Sequence, residues 1–290
     1  MRTVKYLKTA IAALSLVGAS TAHSALTPID VTWNPSAAGI TNAGAFTFND
    51  IVLNTFANID LNSAGTSFSE QGFLRLSVFT LNGLPTSIPN AGFPTGSPYS
   101  LYISFSGTGT QTAGTPSFGQ FTSLTYSLLG APGTTTFTPS AAGTFSASGP
   151  APVTLATGSL TTPGSVAITT DPVSGLLLPA AQITASFNPN PAFAGFFVNP
   201  PATAPLSVTA AFTNTGTVVT STPLGGGATR LTLNGGGGNA TLALGATPPG
   251  PGPGPGPGPS PVPEPDTYGL VLAGLALLAF AAKRKTKRSS

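Results

Sequence analysis

Hydrophobic and polar positions alternate with period two in several short stretches between residues 25 and 247. Leu74, Leu76 and Val78 fall on one side of such a run, with Arg75 and Ser77 on the other. Leu101, Ile103 and Phe105 alternate with Tyr102 and Ser104, and Leu124, Tyr126 and Leu128 with Thr125 and Ser127. Ile183, Ala185 and Phe187 repeat the pattern, as do Leu206, Val208, Ala210 and Phe212 against Ser207, Thr209 and Ala211. Successive side chains of a strand point to opposite faces, so each run predicts a half-buried β-strand. Turn formers separate the runs, at Asn82 and Gly83, 107–109, 131–133, 188–191, 225–227 and 235–238. Short strands broken by Gly/Pro turns predict an all-β body, either a β-sandwich or an irregular β-barrel. An expected total of about ten to fourteen strands favours one large sandwich over residues 25–247. The stretch 132–164, rich in Thr, Ser, Ala, Gly and Pro, reads as a long insertion or as a boundary between two smaller sandwiches. No fixed-spacing repeat points to a solenoid or propeller.

The pattern changes at both ends. Arg2, Lys5 and Lys8 precede an apolar stretch at 9–18. Small residues follow, with Ser20, Thr21 and Ala22 or Ala22, His23 and Ser24 as cleavage boxes. Residues 1–24 therefore read as a signal peptide with a helical apolar segment. Residues 248–262 are almost purely Pro and Gly. Such a chain forms no regular hydrogen-bonded structure and reads as a spacer reaching at most about 50 Å. Its period of two rather than three excludes a collagen helix. The next apolar run, 268–282, is fifteen residues long. As a helix it spans roughly 22 Å, short for a bilayer core of about 30 Å. It predicts a short transmembrane helix. Lys283, Arg284, Lys285, Lys287 and Arg288 follow it as a basic stop that holds this end in the cytoplasm. The body then lies across the membrane from them.

Charge becomes informative once the ends are set aside. The whole chain carries a formal +3. Between 25 and 262 only Arg75 and Arg230 are basic, against Asp30, Asp50, Asp60, Glu70 and Asp171, which leaves −3. Two scattered arginines cannot neutralise a run of phosphates, so nucleic acid is excluded as a partner. The chain has no cysteine. An exported body of more than 200 residues must therefore be stabilised by packing, and it is long enough to bury a core.

The same residue inventory limits chemistry. His23, the only histidine, falls in the signal region, and the body has neither Lys nor Cys. Triads built on His or Cys, His-ligated zinc and Schiff-base chemistry are excluded. A glycosidase needs only two carboxylates, and Asp50, Asp60, Glu70 and Asp171 supply the number. The one tryptophan, Trp33, provides little of the aromatic cleft such enzymes use, so the body is expected to be non-catalytic and to need no cofactor. For calcium the candidates are Asp50, Asn58, Asp60 and Asn62, the last three on one face of a strand. No Asp-x-Asp-x-Asp-Gly loop accompanies them, and the plainer reading is Asn and Asp satisfying nearby backbone. Abundant Thr and Ser suit exposed strand faces, and also suit sugar attachment or contact with exopolysaccharide. Phenylalanines are expected in the core, with Phe196 and Phe197 the pair whose exposure would signal a stacking platform.

Pro263, Glu264 and Pro265, the apolar run and the basic cluster together resemble the PEP-CTERM sorting tail of Gram-negative bacteria. The resemblance covers about a tenth of the chain. It implies export through the Sec machinery, a transient inner-membrane anchor, and recognition of Pro263, Glu264 and Pro265 by an exosortase, a membrane cysteine transpeptidase that cuts nearby. The protein would then reach the cell surface or medium. Within the body, Gly72, Phe73 and Leu74, then 99–102 running into Gly107, Thr108 and Gly109, are similar to PEP-CTERM proteins associated with flocculation. That likeness implies a matrix protein working with exopolysaccharide in flocs or biofilm. The alternatives are a carbohydrate-binding or carbohydrate-active module and a permanently anchored surface protein.

Overall fold

The computed structural model describes residues 28–40, 44–86, 99–140, 144–170, 175, 177–213 and 218–244. All belong to one compact unit that ends at Ala246. The expected signal segment 1–24, spacer 248–262 and sorting segment 263–288 lie outside the described residues. Among the described residues no helix is long and apolar enough to cross a membrane.

The chain enters through β1 (Val31–Trp33) and β2 (Phe46–Phe48). The long strands β3 (Asp50–Leu61) and β4 (Ser67–Leu81) follow, then the short β5 (Leu84–Pro85). Next come β6 (Ser100–Gln111), β7 (Ser117–Ala131), and a hairpin of β8 (Thr136–Pro139) and β9 (Phe145–Ser148). β10 (Val153–Thr170), β11 (Leu177–Pro189) and the short β12 (Phe197–Asn199) lead to β13 (Leu206–Thr213), β14 (Val218–Pro223) and β15 (Thr229–Leu244).

The all-β expectation holds. The strands β3, β4, β6, β7, β10, β11 and β13 pair antiparallel in that order. β15 then pairs with β13 on one edge and with β3 on the other, Leu206 lying opposite Leu244 and Ile51 opposite Ala240. The sheet therefore closes on itself as an eight-stranded up-and-down barrel. Periodicity does not distinguish this from a sandwich, because both bury one face of every strand. Closure depends on β15 being long enough, at sixteen residues, to serve two neighbours. β14 extends the line of β13 along the same edge of β15.

Leu101, Ile103, Leu124, Ile183, Val208 and their alternating neighbours point inward, as their spacing predicts. One position departs from it. A register shift between Val52 and Leu53 places Val78 outside at 39 % exposure and turns Phe79 inward at 2 %.

One end of the barrel is sealed. β2, β1 and β12 form a three-stranded sheet there, and Trp33 is 1 % exposed within it. Its indole meets Phe48 and Phe79 edge-on, at centroid distances of 4.7 and 5.8 Å, and Phe196 at 5.2 Å. Phe196 and Phe197 are buried, so this pair belongs to the plug and offers no exposed platform. The stretch 132–164 carries the β8–β9 hairpin and the first part of β10. The β8–β9 hairpin lies on the outside of the barrel, where Phe137 packs on Phe56, Phe73 and Tyr102. The Arg75 guanidinium sits 5.2 Å from both the Phe56 and Phe137 rings and donates to the Thr135 carbonyl. The cation fastens the hairpin to the wall.

Candidate functional site

The barrel interior is not filled completely. A cavity of about 80 Å³ lies among Leu53, Leu74, Phe105, Phe121, Leu124 and Ile183. It extends toward the end opposite the Trp33 plug, where Gln111 and Phe212 stand near the last residues of their strands. Interiors of eight-stranded barrels are just wide enough to be packed by side chains or to hold one small ligand.

Four polar side chains line this apolar space. Gln111 is engaged, its Nε2 donating to the Gly65 carbonyl at 3.2 Å. Tyr126 donates its hydroxyl to the Ser186 carbonyl at 2.7 Å, and burial raises its pKa above the usual phenol range. Thr55 is 2 % exposed and its Oγ1 has no hydrogen-bond partner. Glu70 lies opposite Ile59 on one side and Gly107 on the other. Loss of solvation pushes its carboxyl up to about 7, and no cation contributes. Glu70 is half-buried; it lines the cavity and also borders a shallow depression on the outer face. Low polarity around the carboxyl, not the residue's mean exposure, governs its ionisation.

That outer depression is lined by Ser69, Gln71, Ser106, Thr108, Ser123 and Thr125. Register fixes the grid: Ser69 is opposite Thr108, and Gln71 opposite Ser106. Thr108 and Ser123 share a 2.8 Å hydrogen bond across the next pair of strands. The result is a patch of hydroxyl and amide groups with Glu70 at its border.

The carboxylates named from the sequence are dispersed. Asp60 binds Arg230 bidentately, with Nε to Oδ1 at 2.6 Å and Nη2 to Oδ2 at 2.7 Å. Asp60 faces out with Ser69, whereas Glu70 faces in with Ile59, so the barrel wall separates these two carboxylates. Asp50 accepts from Asn239 at 3.4 Å. Asp171 lies outside the described residues. Of the calcium candidates, Asn58 and Asp60 share the outer face of β3 while Asn62 lies in the turn beyond its end, and each has local partners. Asn58 is buried and accepts from Thr232 Oγ1 at 2.7 Å. Asn62 Oδ1 accepts from the backbone N–H groups of Thr66 and Ser67, at 2.8 and 3.2 Å. Among the described residues no group of three or more acidic, His or Cys side chains could hold a metal ion.

Sequence reasoning numbered Glu70 among the available carboxylates without placing it. The signal was present in the alternation Phe68, Glu70, Gly72, Leu74, which carries Glu70 to the inner face.

A model of the PEP-CTERM protein-sorting motif matches residues 261–285, which include Pro263, Glu264, Pro265, the apolar run and the first basic residues after it. No curated protein and no solved structure matches the chain. The motif marks an exosortase-targeted surface protein, one exported with a membrane-anchoring sorting signal.

Proposed function

We propose that this is a non-catalytic protein of the outer envelope or extracellular matrix. Residues 1–24 direct it through the Sec machinery, a helix at 268–282 holds it briefly in the inner membrane, and exosortase cleavage near Pro263, Glu264 and Pro265 releases the barrel. In this reading it works beside exopolysaccharide in biofilm or floc. The sorting motif at 261–285 is the observation that carries the proposal. Two features of the barrel support it. Its outer face offers a hydroxyl grid suited to neutral sugars, and both described arginines serve the fold, Arg75 between aromatic rings and Arg230 on Asp60. Separation of Asp60 and Glu70 by the wall speaks against a two-carboxylate glycosidase built on them.

The test is Glu264→Ala in cells carrying the cognate exosortase. Release to the medium stops and the uncut chain stays with the membrane fraction. Release at the normal level removes the recognition claim. A permanent surface anchor is the second reading, and it requires the wild-type chain to retain its basic tail.

A further inference from the structure

The barrel cavity is lined by a half-buried carboxyl, Glu70, and by the idle hydroxyl of Thr55. Buried charges in proteins are paired, and a buried polar atom without a partner calls for an explanation. Neither condition is met inside this barrel. Arg75 and Arg230 are engaged on its outside, and residues 25–262 contain no lysine. Among the described residues, then, no cation stands inside to balance Glu70.

We propose that the cavity is a binding site for a short aliphatic amine whose ammonium group pairs with Glu70 and whose chain enters the apolar interior. Three observations define the ligand. Its charge follows from the carboxyl, which no described cation balances. Its apolar character follows from the lining, almost wholly Leu, Ile, Val, Ala and Phe. Its small size follows from volume: about 80 Å³ is roughly half the 150 Å³ that admits a benzene ring, so a chain of about three carbons fits and one of six does not. Thr55 stands opposite Leu74, four residues along the strand from the Ile59–Glu70 pair. That separation is about 13 Å between backbone positions, which puts its hydroxyl, on the plugged side of Glu70, beyond the reach of so short a chain.

Binding is coupled to the protonation of Glu70. The groups around it leave this coupling simple. Ile59 and Gly107 flank it on the neighbouring strands, and Tyr126 is the other titratable side chain lining the cavity, its proton given to Ser186. An aliphatic amine stays protonated well above neutral pH, so affinity rises as Glu70 ionises.

This inference stands apart from the sorting reading and is tested on the protein purified from cells, whichever termini it carries. Propylamine and propanol are titrated calorimetrically at pH 5 and pH 8. The expected result is one saturable propylamine site at pH 8, at least tenfold weaker at pH 5, with propanol at least tenfold weaker than propylamine. Glu70→Gln lowers propylamine affinity at least tenfold. The wild-type pH comparison keeps the test decisive if a variant does not fold. Absence of a saturable propylamine site, equal binding of propanol, or equal affinity at the two pH values overturns the proposal. Retention of propylamine affinity in Glu70→Gln overturns it as well.

Discussion

The ring of Tyr126 lies over Gly158, its directly opposed partner on β10, and the Tyr126 hydroxyl reaches past it to the Ser186 carbonyl on β11 at 2.7 Å. Three strands are tied by one side chain. A methyl group at position 158 would overlap both the ring and the Ser186 carbonyl oxygen. Gly158→Ala is therefore expected to lower stability by about 1–3 kcal/mol, the usual cost of overpacking. Urea denaturation reads this directly. A variant as stable as the wild type would show that the ring does not close over the glycine.

Arg230 and Asp60 face each other across β15 and β3 in register. Their side chains keep 16 % and 31 % of their surface, so water screens the pair despite its bidentate geometry. A double-mutant cycle through Arg230→Gln and Asp60→Asn should return a coupling of at most about 1 kcal/mol, shrinking with added salt. A value several times larger would mean that the pair is sequestered from solvent.

Glu70 gives the barrel a pH dependence. Its folded-state pKa is raised from 4.5 to about 7, so the native chain binds more protons than the unfolded chain between those values. Stability falls as pH rises through that window and levels off above it. The upper bound of the loss is about 3 kcal/mol. Denaturation midpoints should decline from pH 4.5 to 7 in the wild type and stay flatter in Glu70→Gln. An identical slope in both proteins would assign the effect to other groups.

Much of this fold was legible in the spacing of apolar residues. Runs such as 101–105 and 183–187 face the interior as their alternation requires. Closure was not legible, because a barrel and a sandwich impose the same period on each strand. It rests on β15 pairing with β3 and β13 at once, a relation between residues nearly two hundred positions apart. Val78 and Phe79 exchanged places for a related reason: one bulge in a strand inverts every later face. The sorting motif, by contrast, was fully legible, since its recognition depends on contiguous residues. Of the interior site, the inward position of Glu70 could be read from alternation. The missing partner of Thr55 could not, because a hydrogen-bond partner is a property of the packed barrel.

The account rests on removal of both ends outside the cytosol, and intact-mass measurement of the protein from medium and from cells tests that most directly. The released species is predicted to lack residues 1–24 and the apolar and basic tail beyond the sorting motif, with the barrel residues intact. A soluble intracellular product retaining all 290 residues would contradict it.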